Sequence, residues 1–385
     1  VQFFLRKLSA VSSRWPETIS NGTIMVVEKF YQSGISGLPE YPTMLNAFSF
    51  KIFNSADYSI VKYSVKYFIQ LIRGMQAVYE LLSNNDNPPV LQKLLNEVAL
   101  LLKSPIAGEI INLQSDEKIS RTRALYFANY FLHQYKTESH GLIALYHQFD
   151  GYLSMAIAGE KNHFSYPVFI KTNLPLFEAE SLYHPLLQTP VAYPIEISAE
   201  KNFLFLTGAN MAGKSTFIKA VGVATYLAHL GMAVPAASLQ LSFFDGLLSN
   251  IQVADNIVKG ESYFYNEVQR IKNTILKISN GKKWLILIDE LFKGTNVEDA
   301  MRCSTVVIEG LLKMKNSLFI LSTHLYEIAE NLQQYPNIFF YYFETNIEDG
   351  RLVFNYNLKR GISQDKLGYL ILKNEGVVDL LDKIK

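Results

Sequence analysis

One cysteine, Cys303, stands in 385 residues. A lone thiol forms no internal disulfide, which points to a reducing, cytoplasmic setting. Long apolar runs are missing too. None approaches the ~18 uninterrupted apolar residues that cross a bilayer, so no span is expected, and Val1 opens the chain without a signal-peptide pattern. Charge of one sign is also lacking: 36 Lys and Arg face 35 Asp and Glu. That balance leaves no overall basic field of the kind that drives non-specific nucleic-acid binding. What the chain does have is 49% apolar against 18% charged residues, a globular composition with length enough for two or three domains.

The first part reads as helical. Val61, Val65, Phe68, Ile72, Met75, Tyr79 and Leu82 recur at three- and four-residue spacing, which places them on one helix face. Asn84 to Pro89 break the pattern, and Leu91, Leu94, Val98 and Leu101 begin a second helix. Residues 120–135 and 141–158 supply two more, rich in Tyr and Phe whose expected role is packing. After Asn162 the pattern changes to short apolar runs: NFLFLTG, WLILID (284–289) and SLFILST (317–323). Each is too short and too uniformly apolar for an amphipathic helix, so buried parallel strands fit. Helical stretches at 214–230, 262–279 and 298–315 lie between them. The alternation predicts an α/β domain with a mostly parallel sheet, and IFFYYFETN and RLVFNYNL around Asp349-Gly350 predict an antiparallel hairpin. Residues 1–165 are thus expected to be all-α and 166–385 α/β.

The chemistry concentrates in three places. Gly208-Ala209-Asn210-Met211-Ala212-Gly213-Lys214-Ser215 fits G-x-x-x-x-G-K-[ST] between a predicted strand and helix, the context a phosphate-cradling loop requires. Its glycines let backbone N–H groups face phosphate at a helix N-terminus, with Thr216 just beyond. Lys214 is expected to reach the β- and γ-phosphates of ATP and Ser215 to ligate Mg²⁺. The strand WLILID ends in Asp289-Glu290: one carboxylate for the metal, Asp289, and one for the attacking water, Glu290. Such acids can also simply cap the segment that follows. His324 ends the next apolar run, where it could sense the γ-phosphate or position water, although an isolated histidine after a strand often does neither.

TGANMAGKST, ADNIVKGESYFYNEV, LILIDELFKGT and LSTHLYEI, in this order and spacing, resemble the ATPase domain of the MutS mismatch-repair family from about Tyr183 onward, and Tyr183-His184-Pro185 resembles a short family motif ahead of it. The resemblance implies an ABC-type P-loop NTPase fold, preceded by a helical core and lever region that matches less closely. It implies Mg²⁺-dependent ATP hydrolysis, a homodimer formed through the ATPase domain, a helical dimerisation tail, and DNA as partner. It also implies that Asn210 contacts nucleotide, that Ser262 reaches the γ-phosphate of the opposite subunit, and that Pro190, Val191 and Tyr356 surround the adenine. Glu298-Asp299 corresponds to a loop crossing the dimer interface.

Departures from the family are specific. Phe292-Lys293 replaces its usual Gly-Arg, Glu261 stands where an Arg commonly precedes the signature serine, and the tail GISQDKLGYLILKNEGV keeps only the family outline. Only ~160 residues precede the ATPase strands, too few for core, levers and a DNA clamp together, with no room for a mismatch-reading domain ahead of the helical region; the family's Phe-x-Glu wedge is not recognisable, so mismatch reading does not transfer. Two other readings remain: an ATP-gated assembly module that does not bind DNA, and a subunit of an ABC transporter, whose Leu-Ser-Gly-Gly signature this sequence lacks.

Overall fold

The computed structural model describes residues 1–84, 86–114, 119–251, 263–348, 351–363, 374 and 376–382. The chain divides into two compact units, Val1–Glu160 and Lys161–Lys385.

The first unit is helical: α1 (Gln2–Val11), α2 (Asn21–Phe30), α3 (Met44–Phe53), α4 (Ser55–Leu82), α5 (Pro89–Leu101), α6 (Pro105–Ile111), α7 (Arg121–Gln134) and α8 (Lys136–Lys161). Local chemistry starts them. Ser20 with Thr23 and Thr43 with Asn46 form reciprocal capping boxes at α2 and α3, and Pro89 opens α5 where its missing N–H is harmless. The apolar stripe of α4 is buried except at Tyr79, which is half-buried. Phe68 from this stripe stacks on Phe131 of α7 at 4.1 Å and meets Phe30 of α2 edge-on at 5.3 Å. Phe30, Phe68, Phe127 and Phe131 are thus core, whereas Phe48, Phe53, Tyr63 and Tyr126 stand exposed. Among the described residues, no helix is long and apolar enough to cross a membrane.

The second unit is α/β with mixed sheets. Its strands are β1 (Val168–Ile170), β2 (Leu176–Leu182), β3 (Tyr193–Ser198), β4 (Phe203–Thr207), β5 (Ser238–Ser242), β6 (Gly246–Asn250), β7 (Trp284–Asp289), β8 (Ser317–Ser322), β9 (Ile338–Phe343), β10 (Asn346–Glu348), β11 (Arg351–Val353) and β12 (Leu358–Arg360). Its helices include α9 (Lys214–His229), α10 (Tyr263–Ile278), α11 (Val297–Leu311) and α12 (Glu327–Leu332). The larger sheet runs β12-β9-β4-β8-β7-β6, parallel throughout except for the edge strand β12. Leu204, Leu206, Leu285, Leu287, Leu318 and Ile320 face α9 on one side. Phe203, Phe205, Ile286, Ile288, Phe319 and Leu321 face α10, α11 and α12 on the other. Covering both faces explains why these strands read as unbroken apolar runs. Each such side chain, fully buried, contributes about 1.5–3 kcal/mol.

The expected antiparallel hairpin is present: β10 pairs with β11, and β9 with β12, on either side of Asp349-Gly350, which lies outside the described residues. The IFFYYF run also joins the large sheet, as β9 parallel to β4. A second, four-stranded sheet, β1-β5-β2-β3, was not legible. Its strands alternate buried and exposed residues over short lengths and pair largely with partners distant in sequence.

At the edge of the large sheet Gly246 lies opposite Trp284, and a Cβ there would stand 2.0 Å from the indole Cζ3. Gly246→Ala is therefore expected to destabilise the chain by about 1–3 kcal/mol through overpacking, seen as a lowered Tm.

Candidate functional site

Where β4 ends, the chain turns sharply before α9 begins at Lys214. Gly208 takes φ 136° and Gly213 φ 109°, both left-handed conformations that favour glycine. The space is glycine's as well: a Cβ would stand 3.0 Å from the Phe343 carbonyl oxygen at Gly208 and 3.3 Å from the Tyr356 ring at Gly213. Phe217, Ile218 and Val221 anchor α9 to the sheet, so the loop wraps a fixed helix N-terminus, where backbone N–H groups have no partner within the helix. Met211, at φ 69°, points its side chain outward, 76% exposed.

Lys214 is only 5% exposed. Its Nζ donates to the carbonyl oxygens of Gly208 at 2.7 Å and Ala209 at 2.9 Å, which holds a buried cation inside the loop. Burial pushes its ammonium below the ordinary lysine value, with Glu290 and Asp289 pulling it back up.

The acid pair sits at the end of β7. Ser215 Oγ donates to Asp289 Oδ2 at 2.5 Å, and Ser322 from the neighbouring strand donates to Oδ1. Parallel pairing of Asp289 with Ser322 brings these groups into line. Glu290 turns away at φ 66°, its N–H donating to the Ser322 carbonyl at 2.9 Å. Its Oε2 lies 3.0 Å from Lys293 Nζ and 3.6 Å from His324 Nδ1. Burial pushes the Glu290 carboxyl upward, but His324 and Lys293 outweigh it and hold the group at about 2.

A cavity of ≈ 450 Å³ opens over the loop, a volume suited to a small-molecule ligand. Ala209, Asn210, Met211, Gly213, Lys214, Ser215, Thr216 and Glu290 line it, and so do Val191 and Tyr356. Gly208 and buried Ala212 shape the loop without lining the cavity, while Asp289 and His324 reach it through their contacts with Ser215 and Glu290. Among the described residues, no group of three or more His, Cys, Asp or Glu could hold a metal. The Ser215 and Asp289 oxygens nevertheless suit Mg²⁺, which keeps waters and takes phosphate oxygens in its other positions. Ser262 and Glu261 lie outside the described residues, as does most of the tail from Gln364. Glu298 and Asp299 stand exposed in the first turn of α11, with Asn296 capping the Asp299 N–H at 2.9 Å.

Three neighbours of the site escaped the sequence reading. His184, given no role there, lines the cavity, as does Tyr193, whose hydroxyl burial pushes up to about 12. Glu267 on α10 is buried, its carboxyl accepting from the backbone N–H groups of Lys293 and Gly294. Phe292 keeps a left-handed φ of 57° and buries its ring 5.7 Å from that of Phe264.

Residues 204–380 match the family model described as MutS domain V. Similar proteins include DNA mismatch repair protein MSH3 of Candida glabrata, 30% identical over 240 residues, which are 60% of this chain and 23% of that protein. DNA mismatch repair protein MutS of Shouchella clausii is 26% identical over 280 residues, 70% of this chain and 31% of that protein. The MutS protein of Thermotoga maritima is 29% identical over 221 residues, 56% and 27% respectively. The matches thus span about a quarter to a third of each relative's length. In its C-terminal part the chain resembles MutS domain V, and it is a MutS-like protein.

Proposed function

We propose that this chain is a magnesium-dependent ATPase of MutS type, with residues 208–216 as its phosphate loop. The carrying observation is the junction of Ser215 and Asp289 at 2.5 Å, between a buried lysine and Glu290. Lys214 exchanges the carbonyls of Gly208 and Ala209 for phosphate oxygens, which make stronger, charge-assisted bonds. Ser215 and Asp289 would hold Mg²⁺, which when bound would supply polarisation of the γ-phosphoryl group. Glu290 orients and deprotonates the attacking water, and His324 stands beside it to sense the γ-phosphate. Val191 and Tyr356 enclose the base, with the Tyr356 ring stacking on it. Release of phosphate from ATP tests the reading: it is expected with Mg²⁺ and absent when the metal is chelated.

Ser262, by resemblance, completes the site of a second copy, which makes the working form a homodimer. Residues 1–165 act as core and lever, residues 166–385 as the ATPase domain with its dimerisation tail, and hydrolysis moves one through the other. A cytoplasmic location fits these activities. The relatives are mismatch-repair proteins by name, and DNA is the partner they suggest. The balanced charge favours a second reading, an ATP-gated assembly module without DNA binding. Filter binding to linear and branched DNA across a salt series separates the two. A DNA-binding chain loses affinity steeply as salt rises, whereas no retention at low salt leaves the assembly module.

A further inference from the structure

α10 meets the core along Glu267, Ile271, Thr274 and Ile278, a spacing that fills one helix face. Three of these belong there; the carboxyl at Glu267, 5% exposed, does not belong without a reason. Burying an acidic group costs several kcal/mol unless its oxygens are bonded, and an apolar side chain would pack the same face more cheaply.

Both oxygens are used. Oε1 accepts from Lys293 N–H at 3.1 Å and Oε2 from Gly294 N–H at 3.2 Å. These bonds grip the loop that follows Glu290, and Phe264, one turn earlier on α10, grips it again through the Phe292 ring. The loop needs a grip, since Glu290 and Phe292 both take left-handed backbone angles. Such conformations cost about 1–3 kcal/mol each and persist only where the surroundings impose them. Glu267 and Glu290 also border one small cavity of ≈ 20 Å³, together with Asn250 and Arg270, so the two residues are neighbours in the fold.

We propose that Glu267 is a positioning residue: from the inward face of α10 it fixes the backbone of Lys293 and Gly294 and so sets where Glu290 points. The inference rests on the ATPase reading above and adds to it a link between α10 and the water-activating carboxylate.

Glu267→Gln tests it, because it keeps volume and shape but offers one oxygen to two N–H donors. The expected result is a kcat lower by about 10²-fold, the scale of a misplaced catalytic group. ATP affinity and Tm should stay near those of the wild type, while the amides of Lys293 and Gly294 exchange faster with solvent. Should Glu267→Gln fail to fold, Phe264→Leu loosens the same loop without touching the carboxyl and should lower kcat about tenfold. A normal kcat in the folded variant overturns the inference, as does a parallel fall of Tm, affinity and kcat, the pattern of a merely structural role. A wild type that binds ATP without turnover overturns the assignment of Glu290 and this inference together; turnover in wild type and Glu267→Gln alike overturns the inference alone.

Discussion

Glu290→Gln should bind ATP about as well as the wild type and release phosphate about 10²–10⁴-fold more slowly, the range general-base catalysis supplies. Glutamine fills the same space but neither accepts a proton nor carries the charge that aligns water. The substitution removes the charge of the pair with Lys293, whose side chain is 41% exposed and so partly screened by solvent, which limits the stability lost. Nucleotide affinity should survive because, on the proposed reading, Lys214, the loop backbone and the Ser215–Asp289 pair hold the phosphates. If ATP joins two copies, the stalled protein accumulates as an ATP-bound dimer, which sedimentation alongside a phosphate-release assay would detect. Normal turnover in this variant would remove Glu290 from its role.

Lys214→Ala acts earlier, at binding. A hydrogen bond from a charged donor contributes about 1.5–3 kcal/mol, and the proposed role has the ammonium reach two phosphate groups. ATP affinity should therefore fall by about 10²-fold or more, measured by titration calorimetry or by loss of the ATP-induced rise in Tm. Without nucleotide the same change should alter Tm little, because water can replace the ammonium at the half-buried Gly208 and Ala209 carbonyls. Arginine should not rescue it, since a planar fork does not fit where a compact ammonium turns back on two carbonyls.

What was legible beforehand follows from how each element is buried. β4, β7 and β8 are covered on both faces, so their residues are uniformly apolar and could be read as strands within a residue or two of their limits. β2 pairs antiparallel with β3 and with the distant β5, Phe177 opposite Leu241, and β1 joins β5 in parallel; the non-local pairings are ones no local pattern announces. IFFYYF pairs antiparallel with β12, as a hairpin about Asp349-Gly350 predicts, and takes β4 as a second, parallel neighbour that the local sequence does not signal. The helix stripe of α4 was clear because Val61 to Leu82 holds its period over many turns.

The site divides in the same way. Lys214, Ser215, Asp289 and Glu290 were legible because their chemistry requires particular residue types at particular strand ends. Val191 and Tyr356 were named only by resemblance, and the structure brings both to the wall of the one cavity with the loop. Glu267 was missed because a glutamate in an amphipathic helix reads as solvated; only the fold turns it inward against the Lys293 and Gly294 amides.

The central claim is that residues 208–216 and the Asp289-Glu290 pair make one ATP-hydrolysing centre. Phosphate release from ATP by wild type, Lys214→Ala and Glu290→Gln, each with and without Mg²⁺, tests it most directly. Magnesium-dependent release by the wild type, lost in both variants with ATP still bound by Glu290→Gln, is the predicted result. A folded wild type that neither binds nor hydrolyses ATP, or one whose turnover survives both substitutions, would contradict it.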